Sequence, residues 1–182
     1  MEMEQGKEAT NMGVELVQHQ VEEPWLGCRL ARRKMPIAPP GFVVVRMRCR
    51  SVNPSDVACI KGEYLTWKPI SLPAVVGLEG MGVIHQVGEG VSGFEIGQRV
   101  FPMGASDNGL WQDYVVAPAA GLVPLPPSIS DDVAAQFLIN PWTVVGILEV
   151  LKVPKGDYFL QLAAIITSSF EGSIWMPDLE II

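Results

Sequence analysis

The chain has 182 residues, with 20 acidic and 13 basic side chains for a net charge of −7, and is 48% hydrophobic. That length holds one well-cored domain and little more, and the acidic balance argues against nucleic acid, whose partners present a basic patch. Cys28, Cys49 and Cys59 follow no pairing pattern, which points to a reducing compartment rather than a disulfide framework.

No apolar stretch approaches the roughly 20 residues that span a bilayer. The acidic start Met1-Glu2-Met3-Glu4-Gln5 lacks the apolar core of a signal peptide and the arginines of a transit peptide. A cytoplasmic protein without a membrane partner is therefore expected, with a mitochondrial location as the alternative.

Residues 1–34 are polar, interrupted by Pro24 and weakly patterned, so a loosely ordered arm with room for one early strand is expected. Pro36, Pro39, Pro40 and Gly41 make a turn-rich entry. From Val43 to Arg50, alternate positions separate: Val43, Val45, Met47 and Cys49 share one face, and Arg46, Arg48 and Arg50 the other. This predicts a half-buried strand with Cys49 in the core and a solvated arginine face. A reactive thiol would need exposure and a lowered pKa, so structural burial is the simpler reading of Cys49.

Short strands follow over 82–87, 98–101 and 110–116, separated by Gly88-Glu89-Gly90 and the glycine-bounded run 104–109, the pattern of a small barrel or sandwich. His85 stands alone among strand residues and reads as structural. After Pro124, Pro126 and Pro127 the texture becomes helical: Ser130 is a plausible cap, Asp131 and Asp132 occupy a first turn, and the apolar period runs to Leu138. Asn140 can cap a second helix with Pro141 at its first position, continuing to Leu151. Pro154 and Gly156 end it, and Asp157 to Ala164 reads as a short buried strand.

The richest segment is Ser51 to Phe101. It contains Ser51-Val52-Asn53-Pro54-Ser55-Asp56, then Lys61-Gly62-Glu63-Tyr64, Leu72-Pro73-Ala74-Val75-Val76-Gly77-Leu78-Glu79-Gly80 and Gly97-Gln98-Arg99-Val100-Phe101. This resembles the catalytic domain of the medium-chain dehydrogenase/reductase superfamily, which implies a mainly β fold with some α, a GroES-like β-barrel followed by helices. Zinc enzymes of that superfamily carry a cysteine near the position of Asn53 and a histidine at that of Leu78, so the resemblance points to the zinc-free branch. The ligand count agrees: a catalytic zinc takes about three protein ligands and a structural one four. The scattered cysteines, with His19 and His85, offer no such spacing, and no metal is expected.

The domain organisation expected is an N-terminal arm over 1–34, a GroES-like catalytic barrel over 35–127, the start of a nucleotide-binding domain over 128–164, and a divergent tail over 165–182. In the superfamily, the strand matching 157–164 leads into a glycine-rich turn and a helix that holds the cofactor phosphates. Here Ile165-Ile166-Thr167-Ser168-Ser169-Phe170 follows, and too few residues remain for a βαβ unit of about 30. The resemblance stops near Ala164, which suggests a truncated or alternatively spliced product or a mis-predicted gene model. NADPH is implied by the family, while its binding by this chain is doubtful.

Tyr64 matches a tyrosine that enoyl-thioester reductases place beside the substrate, although zinc-free quinone reductases often carry one there too. Gly109-Leu110-Trp111 and Ile139-Asn140-Pro141-Trp142-Thr143 are similar to the Gly-x-Trp and Asn-Pro-x-Thr segments of mitochondrial-type trans-2-enoyl-CoA reductases. In that family the residues matching Asn53, Trp111, Asn140, Trp142 and Thr143 line the cofactor and acyl cleft. Hydride addition to an enoyl thioester builds negative charge on the thioester oxygen, and a tyrosine hydroxyl can donate to it without carrying charge. Read without the resemblance, Tyr64 would be a packed aromatic, and Trp111 and Trp142 core residues.

The function implied is that of a zinc-independent NAD(P)H-dependent reductase of 2-enoyl thioesters or quinones, present as a catalytic-domain fragment that is inactive alone. A non-enzymatic partner of a full-length homologue is one alternative, because a barrel without its cofactor domain exposes apolar surface. A co-chaperonin-like module is another, carried by fold alone.

Overall fold

A computed structural model describes residues 10–64, 69, 71–105, 109–152 and 154. Chain contacts divide it into two units, Met1–Ala135 and Gln136–Ile182.

The first unit holds two antiparallel sheets. The larger comprises β3 (Phe42–Arg50), β5 (Gly80–Val87), β6 (Arg99–Pro102), β7 (Tyr114–Pro118) and β8 (Leu122–Pro124), in the order β7-β3-β5-β6-β8. The alternation in β3 turns Val43, Val45 and Met47 into a core with Ile84, Val100, Leu110 and Val115. Val44, on the opposite face, is fully buried as well. β3 and β5 approach closely because residue 82 is glycine: a Cβ there would lie 2.4 Å from the Arg46 carbonyl oxygen.

The smaller sheet comprises β1 (Thr10–Leu16), β2 (Cys28–Lys34) and β4 (Ala74–Val75), in the order β2-β1-β4. Two strands in continuous register, from Thr10↔Lys34 to Leu16↔Cys28, stand where a loosely ordered arm with room for one early strand is expected. Sequence pattern misses β2 because it is an edge strand, exposed at Arg29, Arg32, Arg33 and Lys34, and charge on an edge suppresses the alternation that marks a strand. Arg29 and Arg33 both reach Glu15, at 3.1 and 3.5 Å.

The arginine face of β3 is solvated only in part. Arg48 pairs with Asp131 at 3.3 Å, and Arg50 donates to the carbonyls of Leu110 and Gln112. Cys49 is half-buried rather than enclosed. Residues 110–113 are not strand. They stitch the sheets together instead, with Val14 N–H of β1 donating to Trp111 O at 2.8 Å and Met47 N–H of β3 to Asp113 O at 2.8 Å.

The helix expected over 131–138 is one turn, α2 (Asp131–Ala134), held by Arg99 at 2.8 Å from Asp131 and by burial of Ala134 and Ala135 with Met81. In the second unit, α3 spans Asn140–Leu151, capped at Ile139, so that Asn140 lies inside the helix rather than capping it. The strand expected over 157–164 and the tail over 165–182 lie outside the described residues. No helix among the described residues is long and apolar enough to cross a membrane.

Candidate active site

Helix α1 (Pro54–Lys61) joins the two sheets, and each of its ends holds part of the site. At the start, Asp56 is fully buried. Its Oδ2 accepts from the Asn53 N–H at 2.7 Å and its Oδ1 from the Leu78 N–H at 2.9 Å. One carboxylate thus closes the helix N-terminus and ties it to the Gly77-Leu78-Glu79 stretch before β5. Burial pushes this carboxyl above its ordinary value, the Asn53 and Leu78 amides pull it back, and the neighbouring Glu79 charge pushes it up again.

Glu79 is also fully buried. Its Oε2 accepts from Ser51 Oγ at 2.8 Å and from Asn53 Nδ2 at 2.9 Å, while Asn53 Nδ2 also donates to Ser51 Oγ at 2.8 Å. Asn53 is 8% exposed and its amide protons are committed inward, so it serves as floor rather than as a group facing a ligand. Ser51, Asp56 and Glu79 were not singled out as site residues from the sequence. The available signal was Asn53-x-x-Asp56, the three-residue spacing of a reciprocal helix cap.

Trp111 closes one side. Its Nε1 donates to Ser51 O at 2.9 Å, and its ring lies on Gly77, where an added Cβ would sit 2.3 Å from Trp111 Cδ1. Tyr64 approaches from the other end of α1. Gly62 takes the left-handed conformation at φ 81°, and the Glu63 and Tyr64 amides both donate to Ala58 O, at 2.9 and 3.3 Å. Tyr64, Leu78 and Trp111 then pack, half-buried, on one apolar cluster of Leu16, Cys59, Ile60 and Val76. Burial first, and Asp56 second, push the Cys59 thiol up to about 12, so it is no nucleophile near neutrality.

A groove of about 330 Å³ opens beside Trp111, lined by Met12, Val14, Leu30, Arg50 and Val52 among others. That volume is at the lower end for small-molecule sites, which run from about 300 Å³ upward. Asn140, Trp142 and Thr143 stand on α3 in the second unit. Trp142 is 48% exposed rather than a core residue, and Thr143 Oγ1 donates back to the Ile139 carbonyl. The structure therefore brings Tyr64, Trp111 and Asn53 into one neighbourhood.

Among the described residues, no three His, Cys, Asp or Glu side chains converge on a metal-sized site. Neither does α1 fit a cofactor diphosphate: Pro54 lacks an N–H, and Asp56 already occupies the Asn53 amide with a negative charge, where a phosphate needs open donors.

Residues 39–127 match the alcohol dehydrogenase GroES-like domain. This stretch belongs to that family. The chain is 36% identical over 123 residues to the mitochondrial enoyl-[acyl-carrier-protein] reductase of Arabidopsis thaliana, covering 67% of this chain and 32% of that protein. It is 37% identical over 119 residues to the synaptic vesicle membrane protein VAT-1 homolog of Rattus norvegicus, covering 65% of this chain and 28% of the relative. Among solved structures, a Bacillus thuringiensis protein provisionally described as an NADPH:quinone reductase superposes with a TM-score of 0.73 and 35% identity, over 82% of this chain and 44% of that one. The chain thus spans about a third of the curated relatives and under half of the solved structure.

Proposed function

We propose that the GroES-like unit is the substrate-side half of a zinc-independent, NADPH-dependent reductase that saturates the C=C bond of a 2-enoyl thioester. The observation carrying this reading is the placement of Tyr64 and Trp111 on one apolar cluster, beside a fully hydrogen-bonded floor of Ser51, Asn53, Asp56 and Glu79. An apolar cluster suits an acyl chain, and Tyr64 is the group we assign to donate to the thioester oxygen as charge develops there and to deliver a proton to the α-carbon. NADPH, when bound, supplies the hydride.

The name of the Arabidopsis relative supports the thioester and a mitochondrial location over a cytoplasmic one. A quinone substrate is the second reading, favoured by the likeness to the Bacillus thuringiensis protein. A non-catalytic role beside a full-length homologue draws support from α3, whose sequence Asn140 to Leu151 is largely apolar and of which no residue is buried. We expect the purified chain to hold no stoichiometric zinc, to bind NADPH at best weakly, and to turn over neither substrate by itself.

Joining residues 10–135 to the remaining domain of the Arabidopsis enoyl reductase tests the assignment. NADPH oxidation with crotonyl-CoA but not with quinones supports the thioester reading, and the reverse preference supports the quinone reading. Micromolar NADPH binding with Tyr64-dependent turnover by the unmodified chain would contradict the expectation that it is inactive alone.

A further inference from the structure

The last carbonyls of an α-helix lack partners within the helix and must find them elsewhere. At the end of α1, Cys59 O accepts from the Gly62 N–H at 3.1 Å, and Ala58 O accepts from the Glu63 and Tyr64 amides. Ile60 O is satisfied from outside, by His19 Nδ1 at 3.0 Å. A carbonyl can only accept, so Nδ1 carries the proton in this contact.

The loop that presents His19 is itself fixed. The Val17 N–H donates to Gly27 O at 2.8 Å, and a Cβ at Gly27 would lie 2.2 Å from Gln18 O. The imidazole also lies flat against the glycine that ends the helix, since a Cβ at Gly62 would be 3.0 Å from His19 Cγ and 3.1 Å from Nδ1.

We propose that His19 is a positioning residue for Tyr64. The turn from which Tyr64 leaves α1 is weakly determined by its own backbone: Gly62 has a wide conformational range, and the Tyr64 amide shares its acceptor over 3.3 Å. His19 supplies a hydrogen bond to the last turn and a ring over Gly62, and together these leave the chain one path into Glu63 and Tyr64. The catalytic meaning of this contact rests on the reading of Tyr64 given above, whereas the contact itself does not.

The test is fluorine NMR of the full chain labelled with 3-fluorotyrosine. The three tyrosines are assigned with Tyr64→Phe and Tyr114→Phe. His19→Phe keeps a ring and removes the donor, and is expected to shift and broaden the Tyr64 resonance. His19→Asn, which restores an N–H near the same place, is expected to return it toward the wild-type position. Tyr114, whose ring meets His85 at 5.0 Å between centroids, should stay in place throughout. An unmoved Tyr64 signal in His19→Phe overturns the proposal, as does an equal displacement in both variants.

If Tyr114 moves too, the wild-type protein decides. Long-range ¹H–¹⁵N spectra of its neutral His19 should show the Nδ1-protonated tautomer, and the Nε2 tautomer overturns the proposal. These signals are read without substrate, so their failure is distinct from a failure of Tyr64 chemistry, which only turnover can reveal.

Discussion

β3 and α1 are neighbours in sequence, yet they are held in place by opposite means. β3 is fixed by apolar burial, with Val43, Val44 and Val45 each fully buried at the centre of the larger sheet. α1 buries Cys59 and Ile60 as well, but its two ends are fixed by directed polar contacts: a buried carboxylate at its start, hydrogen-bonded to two amides, and a histidine and a left-handed glycine at its end. Apolar burial is non-directional and tolerates exchange at constant volume. A buried polar network does not, because each lost partner leaves a desolvated group behind. The residues proposed to act on substrate are attached to the second kind of structure.

The comparison breaks most visibly in the core. Ile84→Ala should cost about 2–5 kcal/mol in urea unfolding, and Ile84→Val roughly 0.5–1.5; an alanine penalty below 1 would mean the sheet is not what holds this unit. Asn53→Ala should cost about 1–3 kcal/mol, through the donors withdrawn from buried Glu79 and Ser51 rather than through lost volume. A cost near zero would show that the floor is not a network.

The pH dependence of Asp56→Asn sharpens the contrast by a smaller amount. The folded carboxyl holds its proton more tightly than the unfolded one, burial being the main cause. The stability it contributes is therefore fully present below the unfolded value near 4, and is lost as pH rises through the folded value. The advantage of wild type over Asp56→Asn should accordingly be larger at pH 3.5 than at pH 7. A difference that grows with pH would place the shift on the other side.

What could be read in advance follows the same division. β3 was legible because burial imposes a period of 2 on its residues, β5 from the glycine turns around it, and α3 from Pro141 in its first turn. Of the pair β1 and β2, only one early strand was expected; β2 was not legible, since an arginine-rich edge strand has little buried face to record. α2 ended early because residues 131–135 are fixed by Arg48, Arg99 and Met81, partners distant in sequence. At the site, Asn53, Tyr64 and Trp111 came from resemblance to a family pattern, whereas the burial of Asp56 beside Glu79 and the reach of His19 to Ile60 had no local signature. Hydrogen bonds between residues 41 apart leave no period in the chain.

The most direct measurement of the proposed role of Tyr64 is the effect of Tyr64→Phe on turnover, once residues 10–135 are joined to the cofactor domain of the Arabidopsis relative. Phenylalanine keeps the packing on the cluster of Leu16, Cys59, Ile60 and Val76 and removes only the hydroxyl. With crotonyl-CoA and NADPH, kcat should fall by about 10²–10⁴-fold, the range for a positioned proton donor, while KM changes little because the acyl wall is intact. Wild-type kcat in the Tyr64→Phe protein would contradict the assignment of Tyr64 as the reacting donor and leave it as a packing residue.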